Sequence, residues 1–190
     1  VNQVNQVKPL CHTACSAAII LYPQTYFDLV RLGISLYGLW PSREVKILVN
    51  RSKKPKVELK PVLSWKARVV QVKKVSKGET IGYGRTFRTN REMKIAVVPV
   101  GYWDGYDRKL SNNGRVLIKG QFCPIVGRVC MNMFMVDVSE IPHLRLEEEV
   151  ILIGKQGKNE ITVEELAEKI GTINYEMITR INPLIPRKVV

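Results

Sequence analysis

Two clusters near the start of the chain have the composition of an anion-binding site. Ser16 lies among small residues in His-Thr-Ala-Cys-Ser-Ala-Ala (residues 12–18), where the backbone can approach an anion closely and the hydroxyl can donate to it. Arg31 begins an apolar run and is followed by Gly33, whose N–H no side chain shields. Small residues also serve tight packing, and a lone arginine often pairs with a carboxylate. These clusters alone therefore do not identify a ligand.

Two further clusters lie in the second half of the chain. Tyr83 stands between Gly82 and Gly84, which leaves its phenol accessible on a permissive backbone; the alternative is a turn aromatic that covers one end of a barrel. The other cluster is double, with Pro-Val-Gly-Tyr-Trp-Asp-Gly-Tyr at residues 99–106 and a methionine-rich stretch at residues 127–138. The methionines predict barrel core, and Asn132 among them needs a hydrogen-bond partner if it is buried.

Composition limits the class of protein that carries these clusters. The 190 residues, 45% apolar and 25% charged, suit one globular domain, or one domain and part of another. Disorder is excluded as the main state because the apolar content is too high. The longest apolar runs, residues 17–22 and 95–100, are strand-sized and far shorter than the roughly 20 residues that span a bilayer.

Cysteine spacing bears on metal binding and on the redox compartment. The pairs Cys11/Cys15 and Cys123/Cys130 do not have the Cys-x2-Cys spacing of zinc sites, and only two histidines are present, so no metal site is predicted. Four cysteines in 190 residues are too few for a disulfide scaffold. The sequence therefore predicts reduced thiols in a cytoplasmic protein.

Positive charge is concentrated in one segment. Residues 43–77 contain 12 Lys and Arg against two Glu, and the whole chain has a net charge of +13. Such a segment is either a solvated basic linker or a patch that follows phosphates or acidic lipids. Between residues 50 and 61 no aromatic residue alternates with the cations, as a platform for single-stranded nucleic acid would require.

The elements that must position the clusters change character along the chain. Residues 8–40 predict the end of an α/β unit, in which residues 30–38 form a buried strand ending at Gly38. The polar, proline-containing residues 50–61 predict a connecting segment. From residue 62 onward, short strands without intervening helices predict an antiparallel, barrel-like β domain. The strand candidates are residues 63–73, 80–83, 94–100, 115–118, 122–126, 133–138 and 150–153, with a weaker one at 186–190.

Local signals define two turns and one helix within the β domain. Asn113-Gly114 predicts a turn, and Lys119-Gly120 predicts a hairpin turn between two apolar runs. Thr162 and Glu165 have the spacing of a capping box, which predicts a helix over residues 163–170 that stops at Gly171.

Taken in chain order, these clusters resemble the C-terminal half of the pyridoxal-phosphate-dependent alanine racemases. The resemblance extends over nearly the whole chain, and the motifs together are highly specific. The matching stretches are His-Thr-Ala-Cys-Ser-Ala-Ala (12–18), Val-Arg-Leu-Gly-Ile-Ser-Leu-Tyr-Gly (30–38), Gly-Tyr-Gly-Arg-Thr-Phe (82–87), Val-Pro-Val-Gly-Tyr-Trp-Asp-Gly-Tyr (98–106), Pro-Ile-Val-Gly-Arg-Val-Cys-Met-Asn-Met-Phe-Met-Val-Asp (124–137) and Thr-Ile-Asn-Tyr-Glu (172–176).

The resemblance implies a mainly β C-terminal domain, antiparallel and barrel-like with one or two short helices, preceded by the last strands and helices of a (β/α)8 barrel. Residues 1–42 would be the tail of the cofactor-binding barrel, residues 43–61 a basic linker, and residues 62–190 the C-terminal β domain. It also implies a homodimer with shared active sites. The barrel holds the cofactor of its own subunit, and the β domain supplies a base to the partner.

Cofactor-binding roles follow from the same resemblance. Ser16, the backbone of Gly33 and Ile34, and Tyr175 match positions that bind the phosphate of pyridoxal 5'-phosphate. Arg31 matches the arginine that contacts the pyridine nitrogen. Because a guanidinium stays protonated and has no acceptor, it donates to an unprotonated ring nitrogen, which leaves the cofactor a restrained electron sink.

Substrate roles are implied in the same way. Tyr83 matches the catalytic tyrosine, which exchanges a proton with one face of the substrate α-carbon, opposite the face of the cofactor-bearing lysine. Met131 matches a position whose backbone contacts the substrate carboxylate, and Asn132 lies beside it. The residues that match the substrate entrance are Tyr102, Arg108 and Arg128.

The sequence also departs from the family pattern. The family's Schiff-base lysine lies in a Lys-Ala-Asn-Ala-Tyr-Gly-like motif that has no match here, so these 190 residues alone are expected to be inactive and to need the N-terminal barrel portion. The chain begins Val-Asn-Gln and not with Met, which predicts that it is a piece of a longer protein. Cys15, Trp103 and Asn132 stand where the family usually has Asn, Ala and Asp. The last departure leaves alanine and serine both open as substrates.

The function implied is that of an amino-acid racemase. It would interconvert L- and D-alanine, or L- and D-serine, by two-base chemistry and supply D-amino acid for cell-wall peptidoglycan. The location implied is the cytoplasm, either free or as the cytoplasmic part of a membrane-anchored enzyme.

The basic charge supports a different hypothesis, a stand-alone β-barrel module that binds RNA or an acidic surface. Retention of Ser16, Arg31, Tyr83 and Tyr175 favours the racemase, a small-molecule enzyme for which no nucleic-acid partner is expected.

Overall fold

The computed structural model describes residues 8–52 and 57–190. The chain divides after Val62 into two compact units, the N-terminal unit (residues up to Val62) and the β unit (Leu63–Val190). The connecting segment predicted for residues 50–61 falls within the N-terminal unit, and its residues 53–56 lie outside the described ranges.

Short helices and turns make up the described part of the N-terminal unit. They are helix α1 (Ser16–Leu21), the 3₁₀ turns Pro23–Thr25 and Ile34–Tyr37, and helix α2 (Arg43–Arg51). Ser42 is the N-cap of helix α2, and its hydroxyl accepts the N–H of Val45 at 3.3 Å. The buried side chains of α2 are Val45 and Val49. The first part of the segment predicted to be a basic linker, residues 43–51, is therefore helical.

The buried strand predicted for residues 30–38 is wrong. Among these residues, all of them described, Arg31 alone pairs as in a sheet, through a parallel bridge to Cys15. Beyond it the N–H groups of Gly33 and Ser35 donate to the hydroxyl of Ser16, and the chain turns into a 3₁₀ helix. A local hydroxyl thus takes the N–H groups that a strand ladder would need. Leu36 is 65% exposed, which a buried strand would not allow.

Gly38 lies where the chain passes close to itself. It has φ +71°, and a Cβ added there would lie 1.7 Å from the carbonyl oxygen of Lys60. The N–H of Val62 donates to the carbonyl of Tyr37 at 3.2 Å and fixes this crossing. A side chain at Gly38 would push residues 60–62 away.

Ten strands in three antiparallel sheets form the β unit, within residues 63–190, all of which the structure describes. They are β1 (Trp65–Arg68), β2 (Gln71–Val75), β3 (Thr80–Ile81), β4 (Phe87–Arg88), β5 (Met93–Val98), β6 (Arg115–Ile118), β7 (Gln121–Pro124), β8 (Phe134–Asp137), β9 (Glu149–Gln156) and β10 (Asn159–Ile161). The first sheet has the order β1-β9-β6-β7, with β10 on β9; the second has the order β2-β5-β8; β3 and β4 form a hairpin.

The two larger sheets join at both edges. Ile125, just after β7, pairs with Val136 of β8 through an antiparallel bridge. At the other edge the chain runs from β1 directly into β2, where the N–H of Val70 donates to the carbonyl of Val97 at 3.0 Å. The two larger sheets are therefore linked at both edges, by a bridge at one and by the continuous chain at the other, and the predicted antiparallel, barrel-like β domain is confirmed.

Three aromatic rings pack together in the buried core of the β unit. Tyr106 and Phe134 are both fully buried and stack at 4.9 Å between ring centroids. Trp65 meets Tyr106 edge-on at 5.8 Å. Offset and edge-to-face pairs are the favourable geometries for such rings, so β1, β8 and the loop of Tyr106 are held to one another here.

Helix α3 (Val163–Ile170) forms as predicted. Thr162 Oγ1 accepts the N–H of Glu165 at 3.1 Å, and Gly171 ends the helix with φ +74°. Helix α4 (Asn174–Thr179) follows after a short turn. The Lys119-Gly120 hairpin turn is also confirmed: both residues have positive φ, +51° and +74°, as a type I′ turn between β6 and β7 requires.

Two strand predictions need correction. Residues 63–73 form two strands, because after Arg68 the chain leaves its pairing with β9 and starts a new one with β5. Residues 186–190 form no strand within the described chain; Val189 and Val190 are fully exposed and have no ladder to join. Among the described residues no helix has the length and hydropathy needed to cross a membrane.

Candidate functional site

Ser16 and Gly33 form the centre of the anion-binding candidate in the N-terminal unit. The side chain of Ser16 is 2% exposed, and its hydroxyl accepts the N–H of Gly33 at 2.9 Å and that of Ser35 at 3.4 Å. A Cβ added at Gly33 would lie 3.4 Å from Ser16 Oγ, so the glycine keeps this corner open. Ile34 follows immediately and begins a 3₁₀ turn. The predicted grouping of Ser16, Gly33 and Ile34 is thus present in space.

Arg31 is held beside this corner by its backbone. Its N–H donates to the carbonyl of Ala14 at 2.9 Å, and the parallel bridge to Cys15 places it next to the start of α1. Its guanidinium Nη2 donates to the carbonyl of Thr13 at 3.3 Å and is otherwise exposed. The paired ends of two parallel segments therefore bring the Ser16 hydroxyl close to the backbones of Gly33 and Arg31.

Cys15 is the residue at the N-cap of α1. Its thiol is exposed, and the backbone N–H groups of Ala18 and Ala17 hold its pKa below the ordinary value. These N–H groups stabilise the thiolate as they would any anion at a helix start.

In the β unit, Tyr83 projects from a turn built by two glycines. Gly82 and Gly84 have φ +75° and +72°, conformations that glycine adopts without strain. The Tyr83 side chain is 77% exposed. This turn presents the phenol away from the barrel core, so the alternative of an aromatic packed over the barrel end is not what the structure has.

Tyr83 faces a cavity of about 460 Å³ that collects most of the predicted site residues. The cavity is lined by Tyr83, Tyr102, Arg108, Arg128, Val129, Cys130 and Met131. Two of these residues are arginines, so a carboxylate would find positive charge here. The three residues predicted for the substrate entrance therefore meet beside the predicted base.

A second cavity of about 430 Å³ shares Tyr83, Cys130 and Met131 with the first. It is lined by Gly82, Tyr83, Cys130, Met131, Asn132, Met133 and Met135. Met131 and Met133 are 52% and 47% exposed, so the prediction that this stretch is barrel core is wrong for them. They lie in the turn that precedes β8 and line the cavity. Asn132 is exposed in the same turn, so burial does not force a partner on it.

The backbone of Met131 is fixed by a loop crossing. The N–H groups of Tyr102 and Trp103 donate to the carbonyls of Cys130 and Met131, both at 3.0 Å. A Cβ added at Gly101 would lie 2.2 Å from each of these two carbonyl oxygens, so only glycine fits there. With its carbonyl engaged, Met131 has an N–H for which the described residues supply no acceptor. That N–H is available to a ligand.

Arg128 packs under the Tyr83 turn. A Cβ added at Gly84 would lie 3.1 Å from Arg128 Nε, and one at Gly82 would lie 3.3 Å from the Arg128 backbone N. The Nε atom is buried and has no hydrogen-bond partner among the described residues. The guanidinium thus occupies the space that a side chain at Gly84 would take.

A family model described as the C-terminal domain of alanine racemase matches residues 62–189. The chain belongs to the alanine racemase family. It is 48% identical over 179 residues to an alanine racemase of Leptospira interrogans, covering 94% of this chain and 46% of that protein. It is 51% identical over 180 residues to one of Halothermothrix orenii, covering 95% and 45%. The chain spans about half the length of the curated relatives it matches.

Solved structures agree with the alanine racemase assignment. The Bacillus anthracis alanine racemase with bound L-Ala-P matches with a TM-score of 0.85 and 42% identity, over 93% of this chain and 44% of that one. The alanine racemase from E. faecalis matches with a TM-score of 0.82 and 37% identity, over 93% of this chain and 45% of that one. The family resemblance read from the motifs is confirmed, and so is the fold class. These matches give no support to a stand-alone RNA-binding module.

Within this family assignment, the roles of individual residues stay predictions. Tyr175 lies in the first turn of α4 and is 36% exposed; among the described residues it does not line either cavity of Tyr83. Two residues were not predicted from the sequence. They are Ser35, whose N–H also donates to Ser16, and Gly101, which allows the close approach of the Met131 backbone. The signal for Gly101 was its place before two aromatic residues in a tight turn. Nothing local marked Ser35.

Proposed function

We propose that the chain acts as the C-terminal part of a pyridoxal-phosphate-dependent amino-acid racemase that interconverts L- and D-alanine. The observation that carries the proposal is the cavity shared by Tyr83 and Met131, in which a phenol and an unengaged N–H meet beside two arginines. Its curated and solved relatives are alanine racemases, which supports this choice of reaction.

The residues of the N-terminal unit fit the cofactor. The buried Ser16 hydroxyl and the side-chain-free corner at Gly33 suit the close approach of a phosphate oxygen. Arg31 pairs through a β-bridge with Cys15, the residue before Ser16. Its guanidinium donates to the ring nitrogen, since a guanidinium has donors and no acceptor. When bound, pyridoxal phosphate withdraws electron density from the substrate α-carbon and so acidifies its C–H bond. Tyr175 is proposed as a further phosphate ligand.

Tyr83 moves the proton on one face of the substrate. Its side-chain oxygen takes the α-proton of one enantiomer as the phenolate, and the resulting phenol returns a proton to that face in the reverse direction. Inversion needs a second base on the opposite face. The 190 residues contain no match to the family's lysine motif, so a barrel that carries this lysine completes the site in our proposal.

Met131 and Asn132 orient the substrate. The Met131 N–H donates to the substrate carboxylate, and the loop crossing at Gly101 keeps that N–H in place. Asn132 lies at the neighbouring cavity, where its neutral amide does not repel the carboxylate and can hydrogen-bond a hydroxyl. Asn132 therefore lies where the enzyme would distinguish the methyl side chain of alanine from the hydroxymethyl side chain of serine.

Substrate enters past Tyr102, Arg108 and Arg128. The two guanidiniums line the cavity in front of Tyr83 and attract an amino acid through its carboxylate. We further propose the assembly that the family pattern implies, a homodimer in which the β unit of one subunit supplies Tyr83 to its partner's cofactor. The product D-alanine would be formed in the cytoplasm and used for cell-wall peptidoglycan.

The test is racemisation by the complete protein, the chain together with its cofactor-bearing barrel. With pyridoxal phosphate added, L-alanine and D-alanine are each expected to approach the same equal mixture, measured by chiral chromatography. The Tyr83→Phe variant is the matched control, since it differs by one hydroxyl. A folded, cofactor-loaded protein that leaves both enantiomers unchanged would overturn the proposal.

A further inference from the structure

The turn that carries Tyr83 is clamped from two sides. Arg128 lies against it at Gly84, and Asn112 holds its far end at Thr86. Both side chains come from loops that are distant in sequence and close to each other in space, since the N–H of Gly127 donates to Asn112 Oδ1 at 2.6 Å.

On the Arg128 side, the contact is made by the flat guanidinium. A Cβ at Gly84 would lie 3.1 Å from Nε, 3.4 Å from Nη2 and 3.5 Å from Cζ, so the whole planar group covers this residue. Lysine has no planar group that could replace it. Burial of the Nε donor without a partner among the described residues costs free energy. Supplying positive charge to the cavity would not require Arg128 to bury its Nε against Gly84.

On the Asn112 side, one amide bridges two segments. Its Nδ2 donates to the carbonyl and the hydroxyl of Thr86 at 3.3 and 3.4 Å, while its Oδ1 accepts from Gly127. The residue has φ +54°, a conformation in which asparagine is among the most favoured non-glycine residues. An aspartate in its place would keep the acceptor for Gly127 and lose both donors to Thr86.

Within the Tyr83 turn itself the hydrogen bonding is weak. The N–H of Arg85 donates to the carbonyl of Gly82 at a long 3.4 Å, and two glycines leave the backbone free to move. A phenol that exchanges a proton must nevertheless stay within a few tenths of an ångström of its working position, because a 1 Å misplacement can cost about 100-fold in rate. Contacts from outside the turn must therefore hold the Tyr83 phenol in position.

We propose that Arg128 and Asn112 are positioning residues for Tyr83, Arg128 through its guanidinium plane against Gly84 and Asn112 through its amide on Thr86. The inference rests on the proposed racemase function, because Tyr83 is there the proton exchanger of one face. Neither residue touches the reacting atoms in this role. They set where the phenol stands.

The kinetic test uses the complete racemase and the variants Arg128→Lys, Arg128→Met and Asn112→Asp. All three are expected to lower kcat about 10- to 100-fold. KM is expected to change less than threefold in Arg128→Lys and Asn112→Asp, whereas Arg128→Met also removes a charge from the cavity and raises KM as Arg108→Met does. Substrate deuterated at the α-carbon gives the decisive readout. For the enantiomer whose deuteron passes to Tyr83, the C–D bond breaks and an O–D bond forms at the phenolate oxygen of Tyr83, the electron pair of the broken bond staying with the substrate carbon. The isotope effect on kcat/KM is expected to rise for that enantiomer only.

Arg108→Met is the matched control. Arg108 lines the same cavity, so this change removes the same charge without touching Gly84 or Thr86. It is expected to raise KM and to leave both isotope effects as in the wild type. Arg128→Lys separates the two roles of the arginine: full recovery by lysine would overturn the proposal, since charge alone would then suffice.

Hydrogen exchange gives a readout that does not depend on activity. Amides of residues 83–86 are expected to exchange at least about threefold faster in Arg128→Met and Asn112→Asp than in the wild type, with strands β6 and β9 unchanged. If the wild-type protein does not racemise, the proposed function fails, yet this measurement still tests the clamp. If it racemises and the variants alter neither exchange nor isotope effect, the clamp is overturned and the function stands.

Discussion

The N–H of Gly33 donates to the hydroxyl of Ser16 at 2.9 Å, which joins two segments that are 17 residues apart in sequence. This bond sets the corner proposed to hold the cofactor phosphate. Because Ser16 is almost fully buried while its hydroxyl hydrogen has no acceptor among the described residues, the hydroxyl can accept from the backbone and donate to a phosphate together.

Ser16→Ala is expected to weaken pyridoxal phosphate binding about 10- to 100-fold, the scale of a lost hydrogen bond to a charged group. Absorbance titration of the complete protein with the cofactor measures this. Ser35→Ala is the matched control, because its hydroxyl donates to the carbonyl of Leu39 at 3.3 Å and leaves the Ser16–Gly33 bond intact. Equal affinities for the Ser16 variant and the wild type would place the phosphate elsewhere.

Tyr83→Phe is expected to reduce racemisation at least about 100-fold, the low end for losing a general base. Stability should not change, since the side chain is 77% exposed and only a hydroxyl is removed. Initial rates in both directions and the thermal midpoint are the two measurements. Tyr102→Phe, a hydroxyl removed from the same cavity, serves as the control and should retain most of the activity. Near-normal turnover of Tyr83→Phe would give the phenol another role.

Asn132→Asp is expected to shift the preference between L-serine and L-alanine by about 2- to 13-fold toward alanine. One ordinary hydrogen bond, about 0.5–1.5 kcal/mol, sets that range, and the aspartate loses the donors that a serine hydroxyl could use. The measurement is the ratio of kcat/KM for the two amino acids. Asn90→Asp introduces the same charge at an exposed turn outside the cavity lining. An unchanged ratio in Asn132→Asp would mean that this residue does not select the substrate.

What could be predicted from the sequence depended on how local the deciding interaction is. The Thr162 cap, the Gly171 stop and the Lys119-Gly120 turn are set by residues within four positions of one another, and each was predicted at its correct place. Residues 30–38 failed because the deciding contact is the hydroxyl of Ser16, well outside that window. Closure of the barrel at Ile125 and Val136 is likewise a non-local pairing that no sequence window contains.

The candidate site divides in the same way. The exposure of Tyr83 could be predicted from its two flanking glycines, whereas the packing of Arg128 under Gly84 joins residues 44 positions apart and has no local signature. Barrel core was wrongly predicted for the methionines at 131 and 133 because residue type alone predicts burial. Met131 and Met133 are kept at the surface by the turn before β8, which depends on the crossing of the Gly101 loop.

Tyr106→Phe is expected to leave the free energy of unfolding unchanged or to raise it by about 1 kcal/mol. The Tyr106 hydroxyl is buried without a hydrogen-bond partner among the described residues, so its removal relieves an uncompensated cost while the ring stacking stays. Tyr106→Ala is the contrasting variant and should cost about 3–5 kcal/mol through the cavity it leaves. Urea unfolding of the complete protein measures both. A loss above about 2 kcal/mol in Tyr106→Phe would show that the hydroxyl has a partner.

The same hydroxyl makes stability depend on alkaline pH. Burial, and less so the charge of Glu165, raises the pKa of Tyr106 above its usual value near 10. The folded state thus keeps a proton that the unfolded state releases, and this contribution is full below about pH 10 and declines as the pH rises further. Between about pH 10 and 11 the wild type should lose more stability than Tyr106→Phe.

Thiol labelling should separate Cys15 from Cys123 in the folded protein. The N–H groups of Ala18 and Ala17 lower the pKa of the exposed Cys15, whereas burial, with a smaller contribution from Asp137, raises the pKa of Cys123 to about 12. At about pH 8 only about one in 10⁴ molecules then carries a Cys123 thiolate, and the thiolate is the reactive form. Iodoacetamide followed by peptide mass mapping should show Cys15 modified at least about 100-fold faster.

Unfolding in urea is the control for this comparison, because it should bring both thiols to similar rates. Bound pyridoxal phosphate gives a further check, since Cys15 immediately precedes the proposed phosphate ligand Ser16 and its labelling should slow when the cofactor is present. Labelling of Cys123 as fast as that of Cys15 in the folded protein would contradict the burial of the Cys123 side chain. If saturating cofactor does not slow the labelling of Cys15, the result would argue against a phosphate at Ser16.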